Sequence, residues 1–542
     1  MSVTDWLVLT CVLLLIIGFG IYKSRVSHNL EGYFLSNRSL PWYLVLMSIM
    51  GTQASAITYL SGPGQAYSDG LRFVQYYFGL PLAMIVISVF FMPVFNRLKV
   101  FTAYEFLENR FDLKTRSLTS FLFLLSRGLS TGISIYAPSL VLSALMGWNI
   151  YITNIVMGGI LIIYTISGGA KAVAYTQGLQ MIFIFLSMFV VGYMAVKLLP
   201  QGINLKQAIS DAGDHGKMNF ITSGIKNGKF DWKDKYNIWS GLIGGFFLAL
   251  SYFGTDHSQV GRYLTAKNNS HSRKSLLLNG LVKIPMQYFV LLIGVLIFSF
   301  YLYNKAPIYF DPVLKKEAQK TVYGDSLRNT EVAYEAALAQ KDTQAIRNNR
   351  EHYRKLLGTA LPGREINDNN YIFLSFVKDN LPVGLVGLLF AMIFLAAWGS
   401  IAAALNSLAA CSMVDFHQKF STKDTSQLQQ YRISQWYTFA WGIFCIIIAM
   451  FANNIGNSLI ESVNILGSLF YGVILGIFLV AFWIKPVKAN AVFIASLLTE
   501  VGIITIYRMD IISFLWLNVI GALGVIIISL IVQLGWNTFN RE

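Results

Sequence analysis

GTQASAITYLSGPGQAYSDG, residues 51–70, belongs to a run long enough to cross a bilayer, yet Gly51, Gly62, Pro63, Gly64 and Gly70 interrupt it beside Thr52, Gln53, Ser55 and Thr58. Glycine and proline both weaken a helix. Unwound backbone at membrane depth is tolerated only where it is buried in protein or lines a cavity. The stretch therefore reads as a membrane helix opened at Gly51–Ser55, with a turn at Gly62–Gly64. Five helices further on, residues 250–257, LSYFGTDH, again set a glycine and polar groups inside an apolar segment.

The surrounding chain makes the membrane setting certain. Of its 542 residues 55% are apolar and 13% charged, and mean hydropathy is +0.54, beyond what soluble cores hide. About thirteen apolar segments approach or exceed the length that spans roughly 30 Å of hydrocarbon as a helix. They cover 4–23, 41–67, 71–96, 118–146, 150–168, 176–199, 237–257, 275–303, 371–412, 431–452, 458–484, 489–507 and 511–535. The ninth includes a surface helix ahead of Leu381-Pro382. The first lacks the basic flank and small-residue cleavage site of a signal peptide, so it reads as a retained helix.

The net charge of +15 comes from lysines and arginines in the loops, which argues for membrane topology and against a nucleic-acid partner. Lys23, Arg25, Arg38, Arg97, Lys99, Arg262, Lys267, Lys423 and Lys485 fall on one side, which places the N-terminus outside and the C-terminus inside a cell membrane. The long loops 201–236 and 304–370 then lie outside, the second reading as a solvated helical cap. Cys11, Cys411 and Cys445 sit in apolar segments with no ligand or disulfide spacing. GLSTG, Gly128–Gly132, matches a hydrolase pattern but lies in a membrane helix, where it reads as a packing face. No covalent catalysis is expected.

Matched interruptions in two five-helix halves are the signature of an inverted-repeat secondary transporter. The expected fold is an all-α membrane bundle: a first helix (1–40), one repeat (41–200), a loop (201–236), a second repeat (237–484) and two final helices (485–542). Small and hydroxyl residues in AAWGSIAAALNS, 396–407, offer the oxygen ligands a hard cation such as sodium takes. Lys283, Arg127, Asp256 and Glu500 are deep charges, each functional by default at that depth. Snorkelling to the inner surface competes with that reading for Lys283 and Arg127.

FMPVFNRLKVFTAYEFLENRF, IYAPSLVLSALMGWN, YTISGGAKAVAYTQGLQ and GRYLTAKN together resemble the sodium:solute symporter family, in the branch of iodide, multivitamin and monocarboxylate carriers. The resemblance implies a leucine-transporter-type fold, sodium as coupling ion and alternating access. It places sodium on the carbonyls of Gly51, Ala54 and Ala396 and the hydroxyl of Ser400. Gly399 stands where the family usually has a second hydroxyl, and Gln177 where members with an additional sodium site carry an aspartate, which implies one coupled sodium. Thr58, Tyr77 and Ala249 replace the polar residues of sugar carriers.

The expected solute pocket comprises Thr52, Gln53, Ser55, Thr58, Tyr76, Tyr77, Tyr252 at the inner gate, and Lys283. It suits a small anion such as a monocarboxylate or vitamin-like acid. A sugar or polyol symporter of the same fold is the nearest alternative, and a channel or transport-like sensor the alternative of another class. Partners are the solute, sodium and membrane lipid, with no obligate protein partner.

Overall fold

The computed structural model describes residues 1–23, 30–340, 342–364, 366–421, 426–452 and 458–539. Arg25 and Lys423, two of the charges used for orientation, lie outside the described residues. Ten of the described helices are long and apolar enough to cross a membrane, with shorter apolar helices over Ile150–Ile166 and Ser240–Gly254.

The chain runs through α1 (Val3–Lys23), α2 (Trp42–Gln53), α3 (Ala56–Asp69), α4 (80–98), α5 (Leu113–Met146) and α6 (Ile150–Lys197). α6 is continuous by hydrogen bonding but bends at Gly169, whose φ of 57° only glycine adopts easily. The expected spans 150–168 and 176–199 are therefore its two arms. After a loop come α7 (Gly245–Gly254), α8 (His257–Leu264) and α9 (Asn269–Tyr303). The inserted segment contributes α10 (Pro312–Ala318), α11 (Gly324–Gln340) and α12 (Thr343–Ala360). The chain closes with α13 (Asn369–Asn380), α14 (Leu385–Cys411), α15 (Gln427–Phe451), α16 (Leu459–Trp483), α17 (Ala489–Arg508) and α18 (Phe514–Phe539).

The interruption expected at Gly51–Ser55 falls at Ala54 and Ser55, between α2 and α3. The second falls at Thr255 and Asp256, between α7 and α8. The expected turn at Gly62–Gly64 is absent: α3 runs unbroken through Pro63. These small residues serve packing instead. A Cβ on Gly64 would lie 1.8 Å from the Asn369 carbonyl oxygen of α13, and one on Gly294 of α9 would lie 2.1 Å from the Pro63 carbonyl. Backbones approach this closely only where side chains are missing.

Two further expectations change. α13, read as a surface helix, buries Tyr371, Phe373, Leu374, Phe376 and Val377 and packs against α3. The cap is more than solvated helix: α11 and α12 pack on each other and share a core of Leu327, Tyr334, Tyr353 and Leu357. The GLSTG segment is a packing face, with a Cβ on Gly132 falling 2.5 Å from Ile448. α2, α6 and α14 are mutually in contact, and α16 contacts both α5 and α7.

Candidate functional site

At the first break the backbone turns away from helix geometry at Ala54 (φ −84°, ψ 79°) and extends at Ser55 (φ −84°, ψ 172°). The Ser55 N–H donates to the Gln53 carbonyl at 3.1 Å rather than to Gly51, its partner in a regular helix. The Gly51 carbonyl thus loses its helical donor, as carbonyls at such breaks do. Opposite it, α14 is regular, and the Ser400 hydroxyl donates back to the carbonyls of Ala396 (3.0 Å) and Ala397 (3.1 Å).

Gln177 of α6 bridges the two helices. Its Oε1 accepts from the Ser48 hydroxyl at 2.7 Å, and its Nε2 donates to the Thr52 hydroxyl at 3.1 Å and the Gly399 carbonyl at 2.8 Å. The unexpected glycine has a steric cause, since a Cβ at 399 would lie 2.5 Å from Gln180 Oε1 and 3.1 Å from Gln177 Cγ. The two glutamines occupy the space a second hydroxyl would need.

A cavity of about 110 Å³ opens beside the break, lined chiefly by Gln53, Ser55, Thr58, Tyr76, Tyr77, Arg127, Tyr252, Asn464 and Tyr471. A second, of about 70 Å³, adjoins it and is walled by Thr52, Gln53, Ser55, Arg127, Tyr252 and Ser400. Seven of the eight expected solute residues therefore line one cavity or both. Lys283 lines neither: it is fully buried, and its ammonium lies over the Tyr77 ring, 5.5 Å from the centroid. Of the expected sodium residues, Ser400 lines the second of these two cavities and Gly51, Ala54, Ala396 and Gly399 line neither.

Arg127, on α5, lines both cavities. Its guanidinium pairs with Asp256 at the second break, donates to the Tyr471 hydroxyl at 3.0 Å, and lies 5.2 Å from the Tyr252 ring centroid. Tyr471 in turn donates to Asp256 at 2.8 Å, and Asp256 caps α8 through the Ser258 N–H at 2.8 Å. A buried ion pair needs such added hydrogen bonds to offset desolvation. Arg127 Nε, buried, is left without a partner. The lining of both cavities carries this one cation and no carboxylate among the described residues. On the sequence alone, snorkelling competes with a functional role for Arg127. Its signal was the opposite charge of Asp256, also deep in an apolar segment.

A family model for the sodium:solute symporter family matches residues 33–341 and 350–499. The chain belongs to that family. Similar proteins include a sodium/sialic acid symporter of Aliivibrio fischeri, 25% identical over 95% of this chain and 90% of that one. The rabbit sodium-dependent multivitamin transporter is 27% identical over 88% and 66%. Mouse sodium-coupled monocarboxylate transporter 1 is 30% identical over 51% and 44%. Among solved structures, a substrate-bound, outward-open sodium-coupled sialic acid symporter aligns over 98% of both chains with TM-score 0.78 at 22% identity, and so shares the fold. The protein is accordingly a multi-pass membrane transporter and no enzyme, and sodium is its coupling ion.

Proposed function

We propose that this symporter carries a small organic monoanion, a monocarboxylate or vitamin-like acid, together with one sodium ion by alternating access. The observation that carries the reading is the cavity wall, where Arg127 presents the one formal charge beside hydroxyls and amides. A guanidinium is the side chain best suited to a carboxylate, and its free Nε leaves it a donor to give. Pockets of this kind are mostly apolar with few convergent polar groups, and Ile57, Leu248, Ile460 and Val463 supply that remainder.

In this reading Thr52, Gln53, Ser55, Thr58, Tyr76, Tyr77 and Tyr252 position the solute, and Lys283 acts from behind Tyr77. Sodium is held by the carbonyls of Gly51, Ala54 and Ala396 and by Ser400, whose hydroxyl would rotate off its own helix to face the ion. Gln177 is neutral and already joins α2 to α14, which supports a single sodium. The two breaks mark equivalent positions in repeats 41–200 and 237–484, within thirteen spans, the N-terminus outside and the C-terminus inside. Uptake of labelled carboxylates into sealed vesicles under an imposed sodium gradient tests the reading. A solute that accumulates above equilibrium only with sodium supports it; accumulation of hexoses alone refutes the anion assignment, and simple equilibration refutes coupling.

A further inference from the structure

A cavity larger than the two beside the first break lies elsewhere, under the inserted helices. It measures about 480 Å³ and is walled by Tyr67 of α3, Phe298 and Tyr301 of α9, Lys305, and Tyr334 and Arg350 of α11 and α12. Its size falls in the range of small-molecule sites. The aromatic wall is fixed: Tyr67 meets Phe298 and Phe310 edge-on, at 5.4 and 5.7 Å between centroids, and Tyr301 meets Phe310 at 5.4 Å. Tyr334 is 3% exposed and its hydroxyl is committed to the Ala306 carbonyl at 2.9 Å.

Charge in this cavity is one-sided. Arg350 donates to the Pro307 carbonyl at 3.0 Å and lies over the Tyr334 ring at 5.4 Å, but its Nε is buried without a partner. Lys305 adds a second cation at the rim, and no carboxylate belongs to the lining. Of the nearby acids, Asp368 is engaged by Arg354 and the Phe310 N–H and Asp211 by the Tyr303 hydroxyl, while Asp379 lies within electrostatic reach of Tyr301 but outside the lining. A buried Nε with no partner is costly unless something completes it. Rigid aromatic faces around it favour a flat apolar body.

We propose that this cavity is a second binding site, separate from the one at the helix breaks, for an organic anion with a flat aromatic body. Its acid group meets Arg350 and Lys305, and its ring packs among Tyr67, Tyr301 and Tyr334. Because Tyr67 belongs to α3, an occupant would sit against one half of the broken helix.

The test is photolabelling of the purified full-length protein with 4-benzoylbenzoate, an aromatic carboxylate, followed by peptide mapping. Binding needs no transport, so the result is independent of the solute assignment above. We expect adducts within 298–306 or 334–350, reduced roughly tenfold or more at subsaturating probe by Arg350→Gln, the loss of one charge-assisted hydrogen bond. Leu338→Trp, which fills the cavity and leaves Arg350 in place, should block labelling, while Arg328→Gln on the exposed side of α11 should leave it unchanged. Excess 1-naphthoate should compete and laurate should not. Adducts confined to other segments, labelling indifferent to both cavity variants, or displacement by laurate in place of naphthoate would overturn the proposal.

Discussion

Arg127 and Gly399 decide most about the site. Replacing Arg127 by Gln removes the cation from the cavity wall and strands Asp256, which is fully shielded with only Tyr471 and the Ser258 N–H left to it. Breaking one side of a buried pair costs about 3–5 kcal/mol, so Arg127→Gln should lower the thermal midpoint. Arg127→Gln with Asp256→Asn, which leaves no charge unpaired, should recover much of that stability but not carboxylate binding, which should fall roughly 10- to 100-fold. Recovery of binding as well as stability in the double variant would deny Arg127 its contact with solute. Gly399→Ser tests the second residue. It restores the hydroxyl expected by family resemblance but drives a side chain into Gln180 and Gln177, an overpacking that costs about 1–3 kcal/mol. Lower stability with no gain in sodium affinity is the expected result of thermal shift measured across sodium concentrations.

Among elements, the contact of α2, α6 and α14 is closed by an amide. Gln177→Asp would turn a donor to the Gly399 carbonyl into a second acceptor facing it, a repulsion that a cation relieves. Stability of that variant should therefore rise with sodium chloride over choline chloride more steeply than in the parent protein; an unchanged salt response would contradict this. The inserted helices carry a pH response of their own. Asp311 caps α10 through the N–H groups of Val313 and Leu314, and burial pushes its carboxyl up to about 6. Its folded value thus exceeds the unfolded one, so its protonated form favours the folded cap. That contribution is complete below pH 4 and is lost as pH rises through about 6. Protection factors in 312–360, which remove the intrinsic rise of exchange with pH, should fall across that window, and Asp311→Asn, which keeps the cap acceptor, should flatten the response.

For the molecule as a whole, the long apolar helices were legible from apolar length and the two interruptions from glycine and polar residues within them, while the meeting of the first break with the helix of Ser400 was implied by the family resemblance. What escaped were features decided by neighbours. Gly62–Gly64 looked like a turn because local propensity opposes helix there, yet tertiary packing against Asn369 and Gly294 holds the helix through Pro63. Arg127 and Lys283 sit at similar depth in sequence, and only the fold shows that one reaches the cavity while the other stops behind Tyr77. The same account sets the transport charge. One sodium moving with one monoanion carries no net charge, so solute-induced current should be near zero and the sodium dependence should have a Hill slope of about one. The most direct measurement is uptake of labelled monocarboxylate into proteoliposomes under an inward sodium gradient at zero membrane potential, comparing the parent protein with Arg127→Gln. Accumulation that requires sodium and falls roughly tenfold or more in the variant is what the account predicts. Uptake that is indifferent to sodium, or unchanged by Arg127→Gln, would contradict it.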